Sequence, residues 1–196
     1  MNGDATFRTV MVAGFAGSLP IALYYRIKSQ TTGESLDRRQ EGLFILITLR
    51  LAGIATWLGL IAYMVKPASM AWSSLPVPVW LRWSGAGLQI LAMGLLLWTF
   101  RTLGSNLTDT VVTRKEHTLI TSGPYRWVRH PFYDSAALLV LATSLMAANW
   151  FFLAAGGVLL TLLIVRTRKE ERNLLARFGA SYQEYMHRTG RFLPRL

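Results

Sequence analysis

Cysteine is absent from this sequence of 196 residues, and histidine occurs only three times. Without a thiol, the chain forms no disulfide, has no thiolate metal site and offers no cysteine nucleophile, and its redox compartment stays undetermined. The histidines His117, His130 and His187 show neither an i, i+4 pair nor a cluster with carboxylates, the arrangements that metal ligands usually take. We therefore expect no metal site.

Two common nucleotide-binding motifs are also missing. The sequence has no G-x-G-x-x-G after a strand pattern and no G-x-x-x-x-G-K-[ST]. These motifs hold the phosphates of dinucleotides and of nucleoside triphosphates, respectively. Neither a Rossmann cofactor site nor a P-loop is therefore supported.

Apolar residues and positive charge are abundant instead. Hydrophobic residues make up 52% of the chain, and the mean hydropathy is +0.32, which is high for a soluble domain of this size. The formal net charge is +11. A basic surface suits nucleic acid, anionic lipid or an acidic ligand, but in a membrane protein Lys and Arg collect in cytoplasmic loops. We expect a lipid bilayer, and no nucleic acid, as the partner.

Five apolar stretches predict membrane-spanning helices. A hydrocarbon core of about 30 Å requires about 20 helical residues, and the last two stretches, which flank Asn149, are barely long enough for the arms of a hairpin. The predicted spans are 7–27, 43–65, 79–100, 132–148 and 150–165. The sequence thus predicts an all-α integral membrane bundle of five transmembrane helices, with one domain over residues 1–196.

The distribution of basic residues predicts the orientation of this bundle. Met1 to Asp4 contain no basic residue, which favours a first span over a cleaved signal peptide. The segments after the first and third spans and the C-terminal segment are basic, so the positive-inside rule places them together. We expect a multi-pass protein whose N-terminus is outside and whose C-terminus is cytoplasmic. The polar segments 101–131 and 166–196 are then neighbours on the cytoplasmic face.

Arg50 interrupts the second apolar stretch, about a third of the way in. A charge in the hydrocarbon costs about 3 kcal/mol on insertion scales. We expect Arg50 to snorkel or to pair inside the bundle, and a functional role stays open.

The polar segment before the hairpin joins a turn to a helix start. Gly123-Pro124 should turn the backbone, and Pro131 suits the first turn of a helix. Free backbone N–H groups at such a start favour a negative charge, such as a carboxylate. By residue type alone, Arg129-His130 is most simply an interfacial basic anchor.

The segment after the hairpin begins with Arg166-Thr167-Arg168-Lys169-Glu170-Glu171. Arg166 and Glu170 are four residues apart and share a helical face. Their simplest interpretation is a surface salt bridge worth roughly 0.3 to 0.5 kcal/mol. At a membrane boundary, however, this face also points at the other polar segment.

Both polar segments carry short motifs in a fixed order. They are His117-Thr118-Leu119-Ile120, Gly123-Pro124-Tyr125, Arg129-His130-Pro131-Phe132-Tyr133, then Arg166, Glu170 and Glu171, Phe178-Gly179-Ala180-Ser181-Tyr182 and Thr189-Gly190-Arg191. Taken together, these motifs resemble the isoprenylcysteine carboxyl methyltransferase family. The resemblance covers about residues 103–194, nearly half the chain, whereas the N-terminal spans carry no motif. A total of five spans agrees with the smaller prokaryotic members.

The resemblance implies an integral membrane enzyme that binds S-adenosylmethionine in a cytoplasmic cavity and methylates a lipophilic substrate, such as an isoprenylcysteine carboxylate. It implies that Arg166 and Glu170 are catalytic, and that Arg166 binds the substrate carboxylate. The implied cofactor contacts are His117, Thr118, Leu119, Ile120, Tyr125, His130, Pro131, Phe132, Tyr133 and Glu170. The chain departs from the family at a glutamine, for which Thr113 is the nearest candidate, and mildly at Ser135.

The chemistry suits these residue types independently. Methyl transfer from a sulfonium is an in-line displacement, so the protein chiefly positions the reactants. A carboxylate nucleophile has a pKa of about 4 and needs no general base near pH 7. Arg166 suits this anion because its guanidinium is permanently charged and bidentate. Glu170 suits the positive centre of the cofactor, and the rings of Tyr125 and Trp127 suit its sulfonium or adenine.

Three alternatives remain open at this point. Phospholipid methyltransferases also use a Glu-Glu pair, and their amine nucleophile would give Glu170 or Glu171 the role of a base. Membrane sterol and enone reductases share a related hairpin but use a nicotinamide cofactor. The third alternative is a membrane anchor without enzymatic activity. The natural substrate and the oligomeric state also stay open.

Overall fold

The computed structural model describes residues 2–30, 43–104 and 118–195. Within these ranges every regular element is a helix, which confirms the all-α prediction. The helices are α1 (Asn2–Gln30), α2 (Leu43–Val65), α3 (Val79–Leu103), α4 (Pro131–Ala147), α5 (Trp150–Phe178) and α6 (Ala180–Arg188). Two 3-10 helices connect them, Pro67–Ser73 before α3 and Gly123–Arg126 before α4.

Each predicted span is a helix, but the five differ in length. Four are long and apolar enough to cross a membrane: Asp4–Tyr25, Ile45–Val65, Val79–Leu103 and Trp150–Phe178. The fifth, α4, has 17 residues, which makes it about 26 Å long at 1.5 Å per residue, slightly short of a hydrocarbon core of about 30 Å. Helix α5 continues beyond residue 165 as far as Phe178 because no glycine or proline interrupts it before Gly179.

The hydrophobic core lies at the end of the bundle where the α4–α5 hairpin turns. Ten buried side chains form this core: Phe7, Met11, Leu60, Tyr63, Met70, Ala86, Ala142, Met146, Ala147 and Phe152. Glycines allow the helices to approach closely, since a Cβ on Gly156 would lie 2.4 Å from Val140. The core thus fixes α4 and α5 to each other and to the other helices.

Buried polar groups hold the tip of this hairpin. The side chain of Arg82 donates to the carbonyl of Met146 at 3.0 and 2.7 Å and to Asp4 at 2.5 Å. Asn149 accepts from the amide of Phe151 at 3.0 Å, which caps α5, and donates to the carbonyl of Met70 at 3.1 Å. With the tip fixed, the opposite ends of α4 and α5 are held in register beside the polar segments.

Candidate active site

The 3-10 helix Gly123–Arg126 brings the chain back against the end of α3. Gly123 has a φ of +58°, and a Cβ there would lie 2.4 Å from the Oγ1 atom of Thr102. Glycine is therefore required both for the backbone conformation and for the close approach. Pro131 then begins α4, as the sequence predicted.

The loop before α4 pairs with the C-terminal segment. The amides of Arg129 and His130 donate to the carbonyls of Gly190 at 2.9 Å and Arg191 at 3.2 Å, and the amide of Gly190 donates to the carbonyl of Trp127 at 3.2 Å. These bonds form an isolated parallel β-bridge between Val128 and Gly190. The predicted proximity of the two polar segments is confirmed.

The start of α4 differs from the prediction in one respect. The amides of Tyr133 and Asp134 donate to the carbonyl of His130 at 2.9 and 3.4 Å. The first turn thus closes on the residue before Pro131, and these two amides are not free to bind an anion.

The carboxylate of Glu171 is the centre of a buried ionic cluster. Its Oε1 atom lies 2.8 Å from Nε of Arg129 and 3.2 Å from Nε2 of His130, and its Oε2 atom accepts from Arg191. The side chains of Glu171 and Arg129 are only 5% and 9% exposed. Arg129 is therefore a buried partner of α5, and its interpretation as an interfacial anchor was wrong.

Arg129 also holds the end of α6. Its Nη1 atom donates to the carbonyl of Met186 at 3.2 Å and to that of Thr189. A cation suits this position because the last carbonyls of a helix carry partial negative charge. Arg129 thus connects α5, α6 and the loop before α4.

Glu170, the neighbour of Glu171, points to a different part of the site. Its Oε2 atom accepts a hydrogen bond of 3.1 Å from the Tyr133 hydroxyl and lies 4.0 Å from Nδ1 of His130. The rings of His130 and Tyr133 stack with their planes 6° apart and their centroids 5.4 Å apart. Because the Glu170 side chain is 28% exposed, its carboxylate can be reached by a ligand.

Tyrosine side chains border this carboxylate pair. The Tyr185 hydroxyl donates to the carbonyl of Tyr125 at 2.7 Å. Burial raises the pKa of Tyr185 to about 12, against the opposing effect of nearby Arg129. Burial, and then the charge of Glu170, raises the pKa of Tyr125 well above its ordinary value of 10. Both phenols are therefore neutral at physiological pH.

Tyr182 lies deeper in the same group. Its side chain is 1% exposed and its ring centroid is 5.9 Å from that of Tyr185. Burial, and then the charge of Glu171, raises the pKa of Tyr182. Its hydroxyl has no hydrogen-bond partner among the residues described.

The remaining predicted site residues lie on α5, on α4 and in the segment before Gly123. Arg166 is half-buried on α5, one turn before Glu170. Phe132 is 38% exposed and its ring lies 6.0 Å from that of Phe100. Thr118, Leu119 and Ile120 form irregular backbone before the turn at Gly123, whereas His117 and Thr113 fall outside the described residues.

Sequence reasoning missed part of the site. It gave no role to Arg191, Tyr185 or Phe192, whose ring lies 5.8 Å from that of His130. It also assigned Glu171 only as a possible base. Two adjacent carboxylates on a helix point in different directions, and this was the indication that Glu171 faces other partners than Glu170.

Comparison with known proteins gives matches to methyltransferases and to a metal-resistance protein. Residues 85–176 match the sequence model of the isoprenylcysteine carboxyl methyltransferase family. The human protein-S-isoprenylcysteine O-methyltransferase is 32% identical over 126 residues, which cover 63% of this chain and 44% of the human protein. The cobalt-zinc-cadmium resistance protein CzcN of Cupriavidus metallidurans is 31% identical over 118 residues, covering 59% of this chain and 55% of CzcN. The chain thus spans about half the length of the curated relatives it matches.

A solved structure shows the same fold. It is that of a eukaryotic intramembrane Ras methyltransferase, isoprenylcysteine carboxyl methyltransferase, and it superposes with a TM-score of 0.54 at 22% identity. The superposition covers 94% of this chain and 67% of the other. The matched residues 85–176 include the helical hairpin and both Glu170 and Glu171. Over these residues, the chain is similar to the isoprenylcysteine carboxyl methyltransferase family.

Proposed function

We propose that this protein transfers a methyl group from S-adenosylmethionine to the carboxylate of a lipophilic, isoprenylcysteine-type substrate. The observation that carries this proposal is the position of Glu170. Its accessible carboxylate is held beside His130 and Tyr133, one helical turn after Arg166, where α5 leaves its apolar part. In a multi-pass bundle, a substrate dissolved in the bilayer would be able to reach this site.

The residues around Glu170 fit S-adenosylmethionine, which when bound supplies an electrophilic methyl group. The ligand carries positive charge, which Glu170 would attract, and a planar base that suits neighbouring aromatic rings. The cofactor contacts of His117, Thr118, Leu119, Ile120, Tyr125, His130, Pro131, Phe132 and Tyr133 are part of this proposal. Tyr125 is neutral and half-buried, so it adds no charge that would compete for the cation.

Arg166 is the proposed anchor of the substrate carboxylate. A guanidinium binds a carboxylate through two parallel hydrogen bonds, which fixes its direction as well as its position. Arg166 lies nearer to the apolar part of α5 than Glu170 does. A substrate whose acyl or prenyl chain stays in the bilayer would therefore present its acid to Arg166 first.

The buried ionic cluster favours a carboxylate nucleophile over an amine. An amine must lose a proton before it attacks, and a general base must be available to take it. The carboxylate of Glu171 is engaged by Arg129, His130 and Arg191 and is 5% exposed, so it is not available, and the carboxylate of Glu170 is assigned to the cofactor in this proposal. A carboxylate needs no such base, because it is ionised near pH 7 with a pKa of about 4.

We also propose that this site faces the cytoplasm, that the N-terminus is outside, and that residues 1–196 act as one domain. The orientation is supported by the basic residues at the site's end of the bundle. A cysteine-accessibility assay in spheroplasts tests it, since a single cysteine at the exposed Ser181 should be shielded from an impermeant reagent until the membrane is opened. Labelling of this cysteine in intact spheroplasts would show the opposite orientation.

The test of the activity uses the purified protein in nanodiscs. We expect saturable binding of S-adenosylmethionine and none of NADPH. We also expect methylation of a prenylcysteine analogue with a free carboxylate, but not of the matched carboxamide, detected as the mass of one added methyl group. Binding of NADPH alone would support the reductase alternative, and methylation of an aminolipid but not of the acid would support the amine alternative.

A further inference from the structure

Arg50 lies on the face of α2 that points away from the rest of the bundle. The surrounding exposed side chains on this face are apolar: Leu43, Ile47, Leu51, Ile54 and Leu58 are each between 51% and 68% exposed. Arg50 is exposed among them. A membrane protein covers such a face with lipid, so lipid surrounds this arginine.

The depth of Arg50 follows from the packing of α2 on α5. A Cβ on Gly59 would lie 2.3 Å from the ring of Phe151, so the C-terminal part of α2 is level with the start of α5. The two helices therefore run in opposite directions, and Leu43 is at the end of the bundle that carries the candidate active site. Arg50 is seven residues, or about 10 Å, inside from there.

The direction of the side chain follows from helix geometry. Side chains of an α-helix tilt toward its N-terminus, so the stem of Arg50 leads toward the Leu43 end. Long basic side chains near helix ends extend in this way to reach the headgroup layer. The phosphates of the lipids lie in that layer.

Arg50 lacks a partner within the described part of the protein, where no hydrogen bond or ion pair involves it. A guanidinium surrounded by hydrocarbon requires an anion or water, since an unpaired charge there is costly. The planar guanidinium matches a phosphate through two hydrogen bonds. We propose that Arg50 binds the phosphate of a phospholipid in the leaflet next to the active site, and thereby holds one lipid against α2.

The proposal is tested on the whole protein in detergent by titration with dioleoylphosphatidylglycerol, while thermal unfolding and native mass spectra are recorded. We expect the lipid to raise the unfolding midpoint and to be retained. For Arg50→Gln we expect roughly fivefold weaker apparent affinity for the phospholipid, which corresponds to the loss of about one lipid–arginine contact. Arg50→Lys should keep part of the effect. The exposed Arg168 of the α5 extension supplies the control Arg168→Gln, which should bind as the unsubstituted protein does.

Two further probes identify the group that is recognised. Dioleoylglycerol has the same chains without the phosphate, and inorganic phosphate has no chains; neither should reproduce the effect. The proposal is overturned if Arg50→Gln responds to the phospholipid as the unsubstituted protein does, or if dioleoylglycerol is equally effective. An equal effect of inorganic phosphate would show a simple anion site and overturn the assignment to a lipid. Because binding is measured without S-adenosylmethionine, its failure leaves the proposed methyl transfer untouched.

Discussion

The Nε atom of Arg129 donates to the Oε1 atom of Glu171 at 2.8 Å, although the two residues are 42 positions apart and the turn of the α4–α5 hairpin lies between them. The pair is buried and is completed by His130 and Arg191. It joins the loop before α4, the extension of α5 and the C-terminal segment. The position of Glu170 one residue away therefore depends on this pair.

The first prediction concerns the stability that Glu171 provides. Glu171→Gln leaves Arg129 buried without its counter-charge, and removal of one partner of a buried pair costs about 3 to 5 kcal/mol. We expect a loss of this order in the free energy of unfolding, measured by denaturant titration in detergent. The control is Glu184→Gln, because the exposed pair of Glu184 and Arg188 is worth less than about 1 kcal/mol. Equal effects of both variants would show that the buried cluster does not hold the C-terminal segment.

The second prediction separates the roles of Arg166 and Glu170. Arg166→Ala should lower kcat/KM for the acid substrate on the order of 100-fold, because it removes charged hydrogen bonds worth up to about 3 kcal/mol, and should leave S-adenosylmethionine affinity largely unchanged. Arg168→Ala, two residues away and exposed, is the control. Unchanged kcat/KM in Arg166→Ala would refute the role of this residue as the carboxylate anchor.

Glu170→Ala is the third prediction and should affect the cofactor itself. Loss of its carboxylate should weaken S-adenosylmethionine binding by about 10- to 100-fold, as one charged contact of about 1.5 to 3 kcal/mol implies, and turnover should fall with it. Isothermal titration in nanodiscs measures the affinity. Glu184→Ala removes a carboxylate from the exposed face of α6 and should leave it unchanged. If the Glu170 variant binds the cofactor normally, the proposed site is misplaced.

The membrane-spanning helices could be predicted from the sequence because their apolar runs are long and are bordered by polar residues. The second span was predicted at 43–65 and α2 is Leu43–Val65, since polar residues border the apolar run on both sides. The end of α5 was not predicted, because hydropathy falls at Arg166 whereas the helix continues to Gly179. Polarity marks the boundary of the membrane, and it does not end a helix.

Part of the candidate site could also be predicted, but only through motif order. The meeting of His130, Tyr133 and Glu170 followed from the resemblance to a family. The burial of Arg129 did not, because it depends on the pairing of Gly190 with the loop before α4, and no local pattern encodes this contact. Residue type alone favoured an interfacial arginine, and the tertiary fold overrode that preference.

The fourth prediction concerns pH and Tyr185. Its pKa is raised from the ordinary 10 to about 12 in the folded protein, so the folded state holds this proton more tightly than the unfolded state. The resulting stability is fully present below pH 10 and is lost between pH 10 and 12, at up to about 1.4 kcal/mol per pH unit. Tyr185→Phe removes this dependence and also loses the hydrogen bond to Tyr125, worth about 1 kcal/mol. The variant should be the less stable protein at pH 8, and the difference should shrink above pH 10. A constant difference would show that Tyr185 titrates normally.

Tyr182→Phe should have the opposite effect at neutral pH. The Tyr182 hydroxyl is buried and, among the described residues, makes no hydrogen bond, and an unsatisfied buried polar group costs about 1 to 3 kcal/mol. Phenylalanine keeps the ring and its contact with Tyr185, so we expect the variant to be more stable by about 1 kcal/mol. Thermal unfolding of the Tyr182→Phe and Tyr185→Phe proteins in the same detergent measures whether each substitution raises or lowers the unfolding midpoint. A lower midpoint for Tyr182→Phe would show that this hydroxyl is satisfied in the folded protein, since the removal of a hydrogen-bonded group costs stability.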